Sequence, residues 1–316
     1  MNNLNHPLFS VVIPAYNRTN VIKRAIDSVL NQTFTDFEII IVDDGSDDNL
    51  KKYCDDYNSS YIYYYRQEYS GSNPARNSGI RHSRGYYVSF LDSDDAWEPE
   101  YLNEVYKKFS QNDEYGFVWV KHIKKYLPNG PVKLINYKKL EGNVYKNVLK
   151  QGFLINSSCI SAKKSLLESI GGWDNDLQAC QDDDICFRLS KITKVGYVDK
   201  TLSTFYIDER IDRISASNSR RAWNSYLLWQ KFADDVIQLC GKNELKRKFI
   251  GIYSSFLIIN NKEWLEQCEQ FLFLKLNFNN MEKNIFFIKC WYTANKNKFK
   301  IKIKNIIRKL PFNNLT

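Results

Sequence analysis

Three short apolar runs, each followed at once by polar residues, constrain what this chain can fold into. The runs are FSVVI at 9–13, FEIIIV at 37–42 and YYVSFL at 86–91. Nearly every position within each run is apolar, which is typical of strands that are buried on both faces. An amphipathic helix is predicted between the first two runs, at about 19–30. This alternation predicts an α/β fold with a mainly parallel sheet flanked by helices.

The polar residues that follow these runs predict a ligand site. They are PAYN at 14–17, DDGS at 43–46 and DSDD at 92–95. Ligands of parallel α/β sheets bind at the carboxyl ends of the strands, so three such clusters on one rim favour a functional cleft. The alternative for each cluster is turn chemistry, because Asp is common in turns and at helix N-termini. Neither the dinucleotide-binding GxGxxG nor the phosphate-binding GxxxxGK[ST] pattern is present.

The cluster in YYVSFLDSDDAWEP, at 86–99, contains three carboxylates, Asp92, Asp94 and Asp95. Carboxylates this close raise one another's pKa unless a cation lies among them. Oxygen ligands alone suit Mg²⁺ or Mn²⁺ that bridges to a phosphate. The stretch therefore predicts a divalent metal site or, as the alternative, an acidic turn that closes a strand.

A second acidic cluster lies in GGWDNDLQACQDDDICFRLS, at 171–190. The apolar spacing after it places Asp182, Asp183 and Asp184 in the first turn of a helix. Acids there complement the helix dipole, which is one interpretation. A second functional site beside Trp173 is the other.

Composition excludes several classes of protein. Seven scattered cysteines, never spaced as CxxC, argue against a disulfide framework or a zinc site. None of the three histidines lies near a candidate Ser or Cys nucleophile, so a histidine-based hydrolase is poorly supported. No apolar run is long enough to span a bilayer, and the N-terminus lacks the layout of a signal peptide, so we expect a cytoplasmic protein.

Charge and composition divide the chain near residue 218. The first part, 1–218, is predicted to be the α/β domain. The second part, 219–316, is predicted to be helical. From residue 241 onward the chain contains 15 Lys and Arg but only 5 Asp and Glu, so the basic character is local and does not indicate nucleic-acid binding.

The C-terminal segment at 296–312 interleaves seven basic residues with apolar ones and contains no acid. This combination suits an anionic membrane surface, which would place the protein at the inner face of the cell membrane. A solvated tail is the alternative, since residues 299–303 alternate like a strand.

Five segments in order, FSVVIPAYNR, EIIIVDDGSDD, NPARNSGI, SFLDSDDAWEP and GGWDNDLQACQDDDICFRLS, closely resemble the family 2 glycosyltransferases with the GT-A fold, of the bacterial surface-polysaccharide type. The resemblance extends from Phe9 to about Leu189. It implies that the domain at 1–218 has a nucleotide-sugar half at about 1–99 and an acceptor half at about 100–218. It implies a nucleotide-sugar site, with Asp44, or as a second choice Asp43, accepting from the uracil ring. The residues that match this site are Pro14, Ala15, Tyr16, Asn17, Asp44, Asn73, Arg76, Asn77, Asp92, Ser93 and Arg213.

The same resemblance implies that Asp94 binds the metal, Mn²⁺ or Mg²⁺, and that Asp182 is the general base. Trp173, Gln181 and Asp183 then fall on the acceptor side. Gln181 departs from the family pattern, which has Glu at this position. Any acceptor contact that the missing carboxylate would make is therefore in doubt.

The function expected from these features is inverting transfer of a hexose from a UDP-sugar to a hydroxyl of a glycan or a polyprenyl-linked acceptor. The pathway expected is synthesis of a bacterial surface polysaccharide such as O-antigen, capsule or lipooligosaccharide. One alternative is a nucleotidyltransferase that makes a nucleotide sugar. Another is a non-catalytic carbohydrate-binding or scaffold protein, given Gln181.

Overall fold

The computed structural model describes residues 6–153, 155–208 and 218–309, with the side chains of the last helix described as far as residue 298. The chain forms two compact units, Met1–Asp212 and Arg213–Thr316. Arg213, one of the predicted site residues, lies outside the described residues.

The first unit is built on a sheet that contains nine strands among the described residues. The strands are β1 (Phe9–Ala15), β2 (Phe37–Asp43), β3 (Ile62–Arg66), β4 (Tyr87–Phe90), β5 (Ala96–Trp97), β6 (Tyr115–Leu127), β7 (Val132–Leu134), β8 (Ile160–Lys163) and β9 (Lys194–Asp208). Every residue of β1, β2 and β4 is buried, as expected for strands covered on both faces.

The strands follow the order β3-β2-β1-β4-β8-β6-β9-β5, and β7 pairs with the edge of β6. The first four are parallel, so β1, β2 and β4 present their carboxyl ends on one rim. Strand β8 then interrupts the parallel pattern, because it pairs antiparallel with both β4 and β6. This insertion brings the residues that precede β8 next to the end of β4.

Helices cover the sheet of the first unit. They are α1 (Ile22–Leu30), α2 (Leu50–Asp55), α3 (Ser72–His82), α4 (Tyr101–Ser110), α5 (Tyr145–Gln151), α6 (Lys164–Ser169) and α7 (Gln181–Ile192), with a 3₁₀ turn at Ser157–Cys159. Helix α3 packs closely on β1 at Gly79, where an added Cβ would lie 2.2 Å from a Val12 methyl group. That close approach requires glycine and holds α3 beside the rim.

Three local sequence patterns in this unit have different outcomes. The position of Ser46 predicts that it caps a helix, but its hydroxyl accepts a hydrogen bond from the Asn17 backbone, and α2 begins at Leu50. The sequence at 155–161 predicts a strand, where the structure has a 3₁₀ turn and then a strand that begins at Ile160. The short strand predicted at 194–198 is present as the start of β9, which extends to Asp208 because β6 provides a partner along its length.

The second unit is helical in the described residues. Its helices are α8 (Asn218–Lys231), α9 (Ala233–Cys240), α10 (Lys242–Ile259), α11 (Lys262–Leu276) and α12 (Asn280–Lys309). The core is aromatic: Trp223 stacks on Trp264 with ring centroids 5.0 Å apart, and Phe249 and Phe256 are fully buried. No helix in the described part of the chain is apolar over a stretch long enough to cross a bilayer.

Candidate functional site

The end of β1 forms one edge of the predicted nucleotide site. Pro14 and Ala15 are the last residues of the strand, and the half-exposed Tyr16 follows them. The Tyr16 ring packs against Tyr69 with centroids 4.6 Å apart. Asn17 adopts a positive φ of 53°, and its side-chain oxygen accepts from the Asp47 backbone at 2.8 Å. This edge therefore offers exposed aromatic surface on a well-tied loop.

Asp43 is buried at the end of β2 and is committed to contacts within the protein. Its carboxylate accepts from the Tyr64 hydroxyl, from Arg66 at 3.0 Å and from the Ser46 backbone at 2.8 Å. Asp43 therefore ties the end of β2 to β3 and to the loop that follows β2.

Asp44 orders the loop that precedes α3. Only 3% of Asp44 is exposed, and it accepts from the Gln67 side chain, from the Ser70 backbone and hydroxyl, and from the Gly71 backbone, over 2.7–3.1 Å. A carboxylate has about four acceptor sites, so a nucleobase N–H would share an oxygen that already has a partner. The uracil contact stays a prediction.

Asp92 lies at the end of β4 and joins three segments. One carboxylate oxygen accepts from Arg76 at 2.7 Å and the other from the Ser157 hydroxyl at 2.8 Å. The Asp92 backbone N–H donates to the Ser158 hydroxyl at 3.1 Å. Ser93, next in the chain, is buried. The contacts with Ser157 and Ser158 are made possible by the insertion of β8 beside β4.

Asp94 and Asp95 differ in environment. Asp94 is half-buried, and its backbone carbonyl accepts from Arg24 at 2.5 Å. Asp95 is fully buried and accepts from the Ser158 hydroxyl at 2.6 Å and the Asn156 amide at 3.0 Å. Burial, then the charges of Asp94 and Asp92, raises the pKa of Asp95 well above its ordinary value. Asp95 is thus a structural anchor for the turn before β8.

Arg76, on α3, is a buried cation that contacts the acidic loop after β4. It is 4% exposed, and besides Asp92 it donates to the Asn73 side chain at 3.1 Å and to Ser157 at 3.2 Å. Its guanidinium lies 4.7 Å from the centre of the Trp173 ring. The sequence predicted a nucleotide contact for Arg76, and the structure adds this internal network.

Asn73 and Asn77, expected to line the nucleotide site, face the loop at 172–177. The Asn73 amide donates to the backbone carbonyls of Asp174 and Leu177, both at 2.7 Å. Asn77 both donates to the Trp173 carbonyl at 2.8 Å and accepts from the Trp173 backbone N–H at 2.7 Å. These two side chains fix the loop that positions Trp173.

Asp182 lies in the first turn of α7, where the sequence placed it. It is half-buried, and one of its carboxylate oxygens is buried without a hydrogen-bond partner among the described residues. Burial raises the pKa of Asp182 to about 7, against the lowering effect of Arg76 and with further raising by Asp92 and Asp183. A carboxyl group with this pKa exchanges a proton near neutral pH, as a general base requires.

Trp173 is 1% exposed, and its indole N–H also lacks a hydrogen-bond partner within the described part of the chain. Unpaired buried polar atoms are rare, and each can take a hydrogen bond from, or give one to, a water, an ion or a ligand. Three such atoms among the described residues, on Arg76, Trp173 and Asp182, belong to this site. The Arg76 guanidinium lies over the Trp173 ring, and its charge lowers the pKa of Asp182.

The neighbours of Asp182 have separate roles. Gln181 begins α7 and is half-buried. Asp183 accepts from the Phe153 backbone at 3.1 Å and so holds the residues after α5. Asp184 is buried and pairs with Arg188 at 2.5 Å. Of the three consecutive acids, Asp182 alone has a buried oxygen without a hydrogen bond among the described side chains.

Sequence reasoning missed the turn before β8 and a helix residue. Asn156, Ser157 and Ser158 hold the acidic loop, and Arg24 of α1 holds its backbone. The available signal was a short polar run, NSSC at 156–159, inside the stretch predicted to be a strand. Such a run indicates side-chain contacts, but it does not identify their partners.

Whether the site fits a metal depends on its donor atoms. In the described residues, no three His, Cys, Asp or Glu side chains form a cluster that could hold a metal ion. Mg²⁺ is nevertheless commonly bound by one or two carboxylates together with substrate phosphates. The half-buried Asp94 beside Asp92 fits that donor set, whereas the buried Asp95 does not.

Comparison with known proteins agrees with this architecture. The sequence profile described as Glycosyl transferase family 2 matches residues 10–171, so it ends before Trp173 and Asp182. An uncharacterized glycosyltransferase of Rickettsia felis is 31% identical over 288 residues, 84% of this chain and 45% of that protein. Glycosyltransferase GlyA of Streptococcus pneumoniae is 24% identical over 79% of this chain and 37% of its own length. The chain thus spans less than half of these two relatives.

Two further similarities bear on fold and pathway. Chondroitin synthase of Escherichia coli is 41% identical over 108 residues, 34% of this chain and 16% of that protein. Residues 1–349 of Staphylococcus aureus TarS, solved with UDP-GlcNAc, superpose with a TM-score of 0.59 at 17% identity, covering 78% of this chain and 81% of that one. The likeness to TarS is one of fold, and it confirms the predicted GT-A type fold. With the family profile covering residues 10–171, this chain belongs to glycosyl transferase family 2.

Proposed function

We propose that this protein transfers a hexose from a UDP-sugar to an acceptor hydroxyl, with inversion at the anomeric carbon. The observation that carries the proposal is Asp182, which has a buried oxygen without a hydrogen bond among the described residues and a pKa of about 7, beside the Asp92–Arg76 pair. Such a transfer requires a base poised near neutral pH and a positive charge at the diphosphate, which a divalent ion held by carboxylates would supply.

In this proposal Asp182 accepts the proton of the acceptor hydroxyl as the hydroxyl oxygen attacks the anomeric carbon. UDP leaves from the opposite face, so a single displacement inverts the configuration. Arg76 keeps the ionised form of Asp182 accessible, because its positive charge opposes the effect of burial on the pKa. Trp173 offers its indole N–H on the acceptor side. Asn73 and Asn77 of α3 hold the loop at 172–177 that positions it.

The residues that would hold Mn²⁺ or Mg²⁺ are Asp94 and Asp92, which lie on the same loop after β4. Such an ion, when bound, stabilises the negative charge that develops on the diphosphate. The chain's own contribution is to fix the loop: Arg24 holds the Asp94 carbonyl, and Ser157 and Arg76 hold Asp92.

Support for UDP comes from the fold relative, since TarS is solved with UDP and with UDP-GlcNAc. Relatives named chondroitin synthase favour a polysaccharide product. We further propose that the acceptor is a glycan or polyprenyl-linked oligosaccharide of a bacterial surface polysaccharide such as O-antigen, capsule or lipooligosaccharide, presented at the inner face of the cell membrane.

The test is a screen of UDP-sugars for UDP release by the purified full chain, with Mn²⁺ and with EDTA. Release that needs Mn²⁺ and stops in Asp182→Asn, while UDP binding by calorimetry is retained, is the expected result. Asp176→Asn, at an exposed carboxylate in the same region, is the matched control and should keep full activity. Turnover that persists in Asp182→Asn would remove the proposed base.

The same samples separate the rival functions. A nucleotidyltransferase would release pyrophosphate from UTP and a sugar 1-phosphate, and would leave UDP-sugars intact. A non-catalytic binding protein would bind a UDP-sugar or glycan and release no UDP under any condition. Anomeric configuration of the product, read by NMR, decides between inversion and retention.

A further inference from the structure

Helix α12 is apolar on two opposite faces. Its inner face packs in the second unit: Phe286, Cys290 and Ala294, spaced four apart, are buried. Phe286 contacts Tyr253 of α10, and the Ser254 hydroxyl donates to the Cys290 carbonyl at 2.9 Å. These contacts hold the helix in place and satisfy one apolar face.

The other face of α12 carries large apolar side chains that are exposed to solvent. Met281 is 72% exposed, Ile288 66% and Tyr292 64%, and with Ile285 they follow a spacing of four, three and four residues. That spacing places them in one stripe along a helix. Trp291, 65% exposed, lies at its margin. A contiguous apolar stripe on a surface helix is typical of an interaction site.

The stripe has a continuation in the sequence. The backbone is helical as far as Lys309, so the strand-like alternation noted at 299–303 did not predict the secondary structure. Phe299, Ile303 and Ile306 repeat the apolar spacing at the same helical positions. In the sequence, the same apolar spacing therefore continues beyond the last side chain that the structure describes.

Charge decides what this face fits. Between Lys283 and Lys309 the sequence contains nine Lys and Arg and no Asp or Glu. A second copy of the chain would bring these positive charges against one another, because a two-fold interface pairs the same patch with itself. An anionic surface instead attracts each basic residue, by about 1 kcal/mol near lipid headgroups. Trp291 at the margin of the stripe and Tyr292 within it also suit the membrane interface, where Trp and Tyr are enriched.

We propose that α12 lies flat on an anionic membrane surface, with the stripe of Met281, Ile285, Ile288 and Tyr292 inserted among the lipids. The inner face keeps its contacts with α10 in this arrangement. The inference deepens the proposed function by naming the surface at which the protein would meet a lipid-linked acceptor. Only the identity of that acceptor rests on the proposed function; membrane binding by α12 does not.

The test is flotation of the full-length protein with phosphatidylcholine vesicles, with and without phosphatidylglycerol. Binding that needs phosphatidylglycerol and weakens with salt is expected. The double variant Ile288→Asn, Trp291→Ser changes two exposed side chains and should lower partitioning by at least about tenfold, since apolar burial and headgroup attraction act together. Leu134→Asn, at an 81% exposed apolar residue of β7, is the matched control and should bind as the parent does.

Equal partitioning of the double variant and the parent overturns the proposal. The proposal also fails if the parent does not bind vesicles and instead forms a stable dimer in light scattering that is lost in the double variant. The stripe is then an interface between copies. No nucleotide sugar enters this assay, so its failure is distinguishable from failure of the proposed reaction, which is read by UDP release in solution.

Discussion

Replacement of Asp182 by Asn is expected to stabilise the fold at alkaline pH while it stops sugar transfer. Burial raises the pKa of this carboxyl from 3.8 to about 7. One pKa unit corresponds to roughly 1.4 kcal/mol, so the ionised carboxylate destabilises the folded protein by about 4 kcal/mol above pH 7. The Asn side chain carries no charge at any of these pH values and is free of this destabilisation.

The direction of the pH dependence follows from proton counts. Between pH 3.8 and about 7 the folded protein keeps a proton on Asp182 that the unfolded chain has released. The free energy of unfolding therefore falls as pH rises through this window, and it levels off above the folded pKa. Relative to the parent, the Asn variant should gain about 3 kcal/mol between pH 5 and pH 8.

The assay is thermal unfolding of the parent and Asp182→Asn at pH 5 and pH 8. For a unit of about 200 residues, 3 kcal/mol corresponds to roughly 6–12 °C in Tm. Asp176→Asn, which removes an exposed carboxylate nearby, controls for the loss of charge and should show no such difference between the two pH values. A Tm difference between variant and parent that is equal at both pH values refutes the raised pKa.

Two further substitutions test the surroundings of the site. Arg76→Met removes the cation that lowers the pKa of Asp182, so the acidic limb of the pH profile of UDP release should move to higher pH; an unmoved limb in a folded variant contradicts the coupling. Loss of the buried ion pair should also destabilise the fold by about 3–5 kcal/mol in chemical denaturation. Gly172→Ala brings a Cβ within 2.2 Å of the Asn77 side-chain oxygen, whereas Gly171→Ala has a similar positive φ, 76° against 69°, but meets open space. The Tm of Gly172→Ala should therefore fall further, and equal falls would show that the backbone conformation alone matters.

The sequence was a good guide to the parallel half of the sheet. Strands β1, β2 and β4 were predicted because burial on both faces forces nearly every position to be apolar. The same rule placed their polar ends on one rim, and the structure has them there. Asp182 was placed in the first turn of its helix because the apolar spacing of α7 starts directly after it.

Contacts between distant segments were beyond sequence reasoning. Nothing in NSSC shows that Ser157 and Ser158 meet Asp92 and Asp95, because the contact depends on β8 being inserted next to β4. The C-terminal segment is a different case. Its alternating residues favoured a strand locally, yet a helix already anchored on α10 extends with little further cost per residue.

The bonds from Asn73 to the loop at 174–177 join residues 101 and 104 positions apart in the chain. Local helices form early in folding, whereas contacts over such separations wait until the intervening chain has been ordered. The candidate site is thus expected to be completed late in folding, after β8 has paired with β4 and β6. During synthesis, a nascent chain has no complete site until residues beyond Asp182 have left the ribosome. More than a hundred residues are therefore translated between Asn73 of α3 and the loop that it binds.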